Sequence, residues 1–210
     1  MTTAERRARE KARRKEEILQ AARDVFFGKG FHRATVDDVA ERAELSKGTI
    51  YLYFESKEEI LAHLLLEGLS ILLKGLESAY APQGELSAEE RIRRMAFAYL
   101  DFFKAQPNYF RLIMALDRGR FQERVPPDLY QKVLTKSMSC LEWVRLAVQQ
   151  GVEEGAFASE DPWKTAGMLW ASLNGVLILM AHPLRRQMLS VKLEPMFEAT
   201  LELLLRGLSR

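Results

Sequence analysis

Apolar residues recur three and four positions apart along most of the chain, and no stretch alternates long enough to make a strand. The pattern therefore predicts an all-α protein. A first helix spans about residues 8 to 27, with Ile18, Ala22, Val25 and Phe26 on its apolar face, and Gly28-Lys29-Gly30 ends it. Val36, Val39, Ala40 and Ala43 share one face of a second helix, which Thr35 caps with Asp38 at the third position. Ser46 caps a third helix, and Ser56, with Glu59 three residues on, opens a fourth. Two starts this close leave under two turns between them, too short a helix to stand alone.

The fourth helix runs from about residue 57 to 78, with Ile60, Leu64, Leu65, Leu69, Leu72, Leu73 and Leu76 facing inward. A turn at 81–84 follows. Ser87 and Glu90 then cap a helix bearing Ile92, Met95, Ala96, Tyr99, Phe102 and Phe103. Pro107 opens a short helix, and a charged connector (117–124) and Pro126-Pro127 lead into another helix over about 128–150. Asp161-Pro162 starts an apolar helix that stops near His182-Pro183, and a last helix covers about 194–208. The expected total is about nine helices.

In the third helix Ile50 and Phe54 point back onto the second, leaving Lys47, Gly48, Thr49, Tyr51 and Tyr53 outward. This is a helix-turn-helix, whose second helix enters the major groove of DNA. Lys47 can donate to guanine O6/N7, and the Thr49 methyl can meet a thymine methyl. Gly48 lets the backbone approach closely. Tyr51 and Tyr53 can donate to phosphates. Lys57, with the first-turn amides of the long helix, offers an anion site for another phosphate, as Thr35 does at the second helix. Asp37 and Asp38 read as helix-start charges.

Charge is nearly balanced over the 210 residues, 31 basic against 29 acidic, so the total does not point to nucleic acid. Its distribution does. Residues 1–57 hold 13 Lys/Arg and 10 Asp/Glu, and Arg6, Arg7, Arg9, Lys11, Arg13, Arg14 and Lys15 form a basic run suited to an arm on phosphates.

The run Ile18-Leu19-x-Ala21-Ala22-x-x-x-Phe26-x-x-x-Gly30-Phe31-x-x-x-Thr35-Val36-x-x-Val39-Ala40-x-x-Ala43-x-Leu45-Ser46-x-Gly48-Thr49-Ile50-Tyr51-x-Tyr53-Phe54-x-Ser56-Lys57-Glu58 resembles the DNA-binding domain of the tetracycline-repressor (TetR) family. The match covers about residues 15 to 61 without a gap. The resemblance implies DNA contacts at Thr35, Lys47, Gly48, Thr49, Tyr51, Tyr53 and Lys57. It also implies a division into a DNA-binding domain with a basic N-terminal arm (1–57) and a helical effector-binding and dimerisation domain (58–210). A homodimer that represses from a palindromic operator and is released by a small apolar effector is the function it implies.

For the effector, Met95, Tyr99, Phe103, Phe110, Met114 and Trp143 are the candidate lining. Each alone is most simply core, but together they exceed what a minimal core needs, and Met suits adaptable sites. Arg111, Arg118, Arg120 and Arg124 can meet an anionic head group at the mouth, though a solvated loop explains them equally. For the dimer, Gly167, Ala171 and Gly175 recur every four residues and let another helix approach closely. Leu201, Leu204 and Leu205 of the last helix supply a second stripe, and two such helices per subunit make a four-helix interface of the kind family members show.

Other readings fare less well. His32, His63 and His182 are scattered, no motif joins His to Glu or Cys at ligand spacing, and Cys140 has no His nearby, so neither an enzyme, a metal site nor a cofactor is expected. A helical-bundle carrier or protein-interaction module shares the pocket but not the DNA. One cysteine excludes an intrachain disulfide and suits the cytoplasm. The first residues are charged and lack the apolar core of a signal peptide. Residues 165–184 carry no Asp, Glu, Lys or Arg, enough to span a bilayer, but Ser172, Asn174, His182 and Pro183 favour a buried interface helix over a membrane segment.

Overall fold

The computed structural model describes residues 2–115 and 121–209; Arg118 and Arg120 of the candidate pocket mouth lie outside the described residues. The described residues form eleven helices: α1 (Thr3–Lys29), α2 (Val36–Arg42), α3 (Lys47–Tyr51), α4 (Lys57–Tyr80), α5 (Ala88–Ala105), α6 (Pro107–Met114), α7 (Phe121–Arg124), α8 (Pro127–Glu153), α9 (Pro162–Ala181), α10 (Pro183–Leu189) and α11 (Leu193–Leu208). The all-helical architecture is the expected one. The additions to the nine expected helices are two short pieces, α7 and α10, each at most two turns long.

Helix α1 starts five residues earlier than the apolar pattern predicts. Thr2 Oγ1 accepts from the Glu5 amide and Glu5 returns a bond to the Thr2 amide at 2.7 Å, a capping box that nucleates the helix ahead of its apolar face. The basic run expected as an arm is therefore helical, with Arg13 and Arg14 paired to Glu17.

The chain packs as two compact units, Met1–Gly68 with Asn108–Thr135, and Leu69–Pro107 with Lys136–Arg210. In the first unit, Ile18, Ala22 and Phe26 of α1 are buried with Val39 and Ala40 of α2, Ile50 of α3, and Phe54. A polar cluster fixes α1 on the middle of α4 and on α6. The Arg23 guanidinium clasps Glu67, with Nη2 2.8 Å from Oε2, and the Tyr109 hydroxyl donates to the same oxygen at 2.8 Å. The neighbouring Gly68 is required there, because a Cβ would stand 2.9 Å from the Tyr109 ring.

The second unit centres on α5, α9 and α11. Phe197, Leu201 and Leu205 recur every four residues along α11 and are buried with Leu169, Leu173 and Leu177 of α9 and Met95, Tyr99 and Phe102 of α5. Tyr99 donates to Asn174 Oδ1 at 2.9 Å, and Lys104 and Arg93 of α5 pair with Glu194 and Glu202 of α11. Gly151, near the end of α8, admits the buried Phe157 ring, which a Cβ there would overlap at 2.0 Å. Phe157 also bridges to Ser209 in antiparallel fashion, so the last residues of α11 are tied to the α8–α9 connector.

Candidate nucleic-acid interface

The three-helix head is built on two caps. Thr35 Oγ1 accepts from the Asp38 amide at 3.1 Å while Asp38 accepts from the Thr35 amide and hydroxyl, opening α2. Lys29 stands 2.6 Å from Asp38, and with the Thr35 bonds it holds that carboxyl down at about 2. Ser46 Oγ accepts from the Thr49 amide at 3.1 Å and shares a hydrogen bond with the Thr49 hydroxyl, opening α3. Between them Glu44 sits at φ 56, a left-handed position that normally suits Gly, and Leu45 N bonds back to Ala40 O at 2.9 Å to close the turn.

The expected inward and outward sides of α3 are present. Ile50 and Phe54 are 0% and 1% exposed. Lys47, Gly48 and Tyr51 are exposed, Thr49 and Tyr53 half-buried. A Cβ built on Gly48 meets only Ser46 Oγ, at 3.8 Å, so nothing within this chain demands glycine there. Leu52 is 77% exposed beside Tyr51, an apolar residue the helical pattern alone does not single out.

Two cations behave differently from expectation. Lys57 is expected at a phosphate, but its ammonium donates to Phe31 O and Ala34 O, both at 2.9 Å, and lies 4.3 Å from the centre of the Phe31 ring. Burial pushes its pKa down. These bonds have a simple cause: the α1–α2 loop leaves two carbonyls without helical partners, and Lys57 at the start of α4 is a donor within reach. Lys47 is outward as expected, yet its Nζ lies 2.8 Å from Asp37 Oδ2 on α2, and that hydrogen bond raises its pKa. Asp37 is thus part of the outward surface; ten residues separate the partners, which no helical periodicity links.

The start of α4 carries a modified cap. Ser56 Oγ accepts from the Glu59 amide at 2.9 Å, but Glu59 bonds the Glu55 amide instead of completing the expected box with Ser56. The Ser56 hydroxyl also donates to Arg124 O at the end of α7. Behind the head, His63 is half-buried with its ring edge-on to Phe54; burial and the nearby Lys15 hold its pKa down at about 4.

A family model of bacterial regulatory proteins of the tetR family matches residues 18–64, and one of the tetracyclin repressor-like C-terminal domain matches residues 92–204. The chain belongs to the TetR family. It is a helix-turn-helix transcriptional regulator. Among its relatives, the uncharacterised HTH-type regulator YhgD of Bacillus subtilis is 31% identical over 156 residues, 73% of this chain and 76% of that protein. The TetR-family regulator PfmR from Thermus thermophilus superposes with a TM-score of 0.68 at 27% identity, over 92% of this chain and 99% of that one. The fold is also that of Bacillus subtilis FadR in complex with stearoyl-CoA, with a TM-score of 0.70 at 21% identity over 92% and 98% of the two chains.

The other residues expected to be functional in a TetR regulator fall as follows. Met95 and Tyr99 are buried, Phe103 and Trp143 half-buried, and all four belong to the second unit; the Trp143 ring packs tilted against Tyr80 with ring centres 4.8 Å apart. Phe110 (buried) and Met114 (half-buried) belong to the first unit. Cys140 is buried against Leu69 O, and burial lifts its thiol to about 12, which makes it unreactive.

On α9, Gly167 and Gly175 have nothing within 4 Å of a built Cβ, and Ala171 is exposed together with Met168 and Trp170. On α11 the expectation needs correcting. Leu201 and Leu205 are 1% and 2% exposed, part of the protomer's own core, whereas Leu203 is 71% exposed and Leu204 half-buried. At 3.6 residues per turn Leu203 lies about opposite Leu201, so the packing of one side leaves the other open.

Proposed function

We propose that this TetR-family chain is a cytoplasmic repressor that binds a palindromic DNA operator as a homodimer and leaves it when a small apolar effector binds, with residues 1–57 as the DNA-binding domain and 58–210 as the effector and dimerisation domain. The observation that carries the reading is the division of α3 and the turn after it, where Ile50 and Phe54 are buried while Lys47, Gly48 and Tyr51 are exposed and Thr49 and Tyr53 half-buried. The open space at Gly48 supports close approach by DNA, since a glycine inside a helix costs about 1 kcal/mol relative to Ala and the chain offers no other reason for it. With the Thr49 hydroxyl held by Ser46, its methyl is the part left for a thymine. Thr35 and Lys57, whose polar groups brace the head, position it; the phosphate contacts fall to Tyr51, Tyr53 and the basic face of α1.

For the dimer, the supporting feature is the strip of Gly167, Ala171 and Gly175, exposed at Ala171 and half-buried at the two glycines, flanked by the exposed Met168, Trp170, Ile178 and Leu179, with Leu203 and Leu204 on α11. Apolar surface of this extent marks an interaction site. Among the described residues α9 is the helix long and apolar enough to cross a membrane, with a mean hydropathy of 1.2, and a partner's matching helix is the cover we assign to it. For the effector, Met95, Tyr99, Phe103 and Trp143 of the second unit remain the candidate lining. Release requires the effector to favour the state with misplaced readers.

Selection of bound fragments from random DNA by the purified protein tests the reading, followed by titration of apolar anions into the complex. FadR of the same fold carries stearoyl-CoA, which makes long-chain acyl-CoA a first probe. A palindrome should emerge, and the effector and the operator should weaken each other's binding by the same factor. Recovery of no preferred sequence would favour the carrier reading.

A further inference from the structure

The Lys47–Asp37 pair poses a problem for a DNA reader. Both side chains are about half or more exposed, 51% for Lys47 and 63% for Asp37, and they meet on the outward side of the head, one on α3 and one on α2. An exposed pair contributes little to stability. A carboxylate placed there also repels the phosphates of any duplex, and it ties up the ammonium that DNA binding needs. Such a group is tolerated at a reading surface when the bound sequence supplies it with a donor.

The major groove supplies donors of one kind only, the exocyclic amines of cytosine (N4) and adenine (N6). In a G·C pair the guanine acceptors O6 and N7 adjoin cytosine N4, and O6 and N4 are joined by a Watson–Crick hydrogen bond of about 2.9 Å. Lys47 Nζ and Asp37 Oδ2 are 2.8 Å apart. The spacing of one donor and one acceptor on the protein thus matches the spacing of one acceptor and one donor on the base pair. Cytosine N4 carries two hydrogens: one bonds O6, and the second faces the groove. The four groups can close a ring of hydrogen bonds in which the Lys47–Asp37 contact survives. An A·T pair fits less well, because thymine offers the ammonium a single acceptor next to its C5-methyl.

Building on the operator reading above, we infer that Lys47 and Asp37 act as one unit that reads a single G·C pair in each half-site, Lys47 donating to guanine O6 or N7 and Asp37 accepting from cytosine N4. Asp37 is then a specificity residue. It disfavours base pairs that turn no exocyclic amine toward the carboxylate at that step, and it lowers affinity for random DNA by repulsion.

The test uses the palindrome selected by the wild-type protein and a set of duplexes in which each base pair is replaced symmetrically. Fluorescence anisotropy compares wild type, Asp37→Asn, Asp37→Ala and Lys47→Ala, with circular dichroism verifying that each is folded. Wild type should lose about 5- to 150-fold per half-site when one particular G·C pair is changed. Asp37→Ala should shrink that loss at that position and no other, Asp37→Asn, which keeps an acceptor oxygen, should shrink it less, and both should bind random DNA more tightly than wild type. Lys47→Ala should relax the same position. Asp37 variants with undiminished discrimination at every position would overturn this inference alone, as would relaxation at a position different from that of Lys47→Ala, or an A·T pair at the shared position. A wild-type protein that selects no sequence would overturn the operator reading and this inference together.

Discussion

The outward side of α3 and the outer side of α9 with α11 are both surfaces the chain leaves open, and they are open in opposite ways. Around α3 the division is by chemistry: Ile50 and Phe54 go in, and Lys47, Thr49 and Tyr51 stay out. Water satisfies such a surface, so the head needs no partner until DNA arrives. Helix α9 is apolar nearly all round, and its division is by packing: Leu169, Leu173 and Leu177 are buried while Met168, Trp170, Ile178 and Leu179 are exposed. That side gains by burial, about 25 cal/mol for each Å² of apolar surface removed from water. On the proposed reading the first surface recognises DNA and the second assembles the dimer.

The largest effect should come from breaking the assembling surface. Leu203→Asp places a charge in the proposed interface, where it finds no partner. Light scattering should show monomers, circular dichroism should remain helical, and operator affinity should fall by at least about 100-fold, roughly 3 kcal/mol. Leu205→Ala, two residues on but buried, should act differently. It should lower the unfolding free energy of the protomer by about 2–5 kcal/mol in urea titration, because it leaves a cavity. A Leu203→Asp dimer with full affinity would move the interface elsewhere on the protein.

This contrast also marks what the sequence makes legible. Every long helix and the caps at Thr35, Ser46 and Ser87 follow from spacing and short-range chemistry, and so does the inward-outward division of α3. The inner side of α11 does not, because Phe197, Leu201, Leu203, Leu204, Leu205 and Leu208 are all apolar and only packing tells which are core. Lys57 is illegible for a related reason: its partners are backbone carbonyls at Phe31 and Ala34, and carbonyls leave no trace in residue type. The early start of α1 is legible in principle, as Thr2-x-x-Glu5 is a capping box, though no apolar residue nearby announces it.

An intermediate effect separates bracing from recognition within the head. Lys57→Ala should lower stability by about 1–3 kcal/mol, since Phe31 O and Ala34 O lose their donor. Operator affinity should fall equally for all sequences, while the slope of log affinity against log salt stays put. A slope shallower by about 0.9 would restore Lys57 to a phosphate contact.

Mild acid should have a smaller effect. With its pKa at about 4 in the folded protein against an ordinary 6.5, His63 takes up its proton more readily in the unfolded chain. Its contribution is therefore fully present above about 6.5 and lost as pH falls toward 4, roughly 1 kcal/mol once screening at its half-open ring is allowed for. Urea titrations at pH 7 and pH 4.5 should show that difference shrink in His63→Gln. Least of all, Glu44→Gly should stabilise the head by about 0.5–1 kcal/mol, as glycine takes a φ of 56 without strain.

The central claim is that two heads, each reading through α3, are held in register by the α9–α11 surface. Its most direct test is the stoichiometry and affinity of the purified protein on a selected palindrome and on a single half-site of equal length, measured by analytical ultracentrifugation and anisotropy. Two protomers should bind the palindrome, with half-site centres about 34–36 Å or a multiple apart, and binding to the lone half-site should be at least about 100-fold weaker. One protomer bound with equal affinity to both fragments would contradict it.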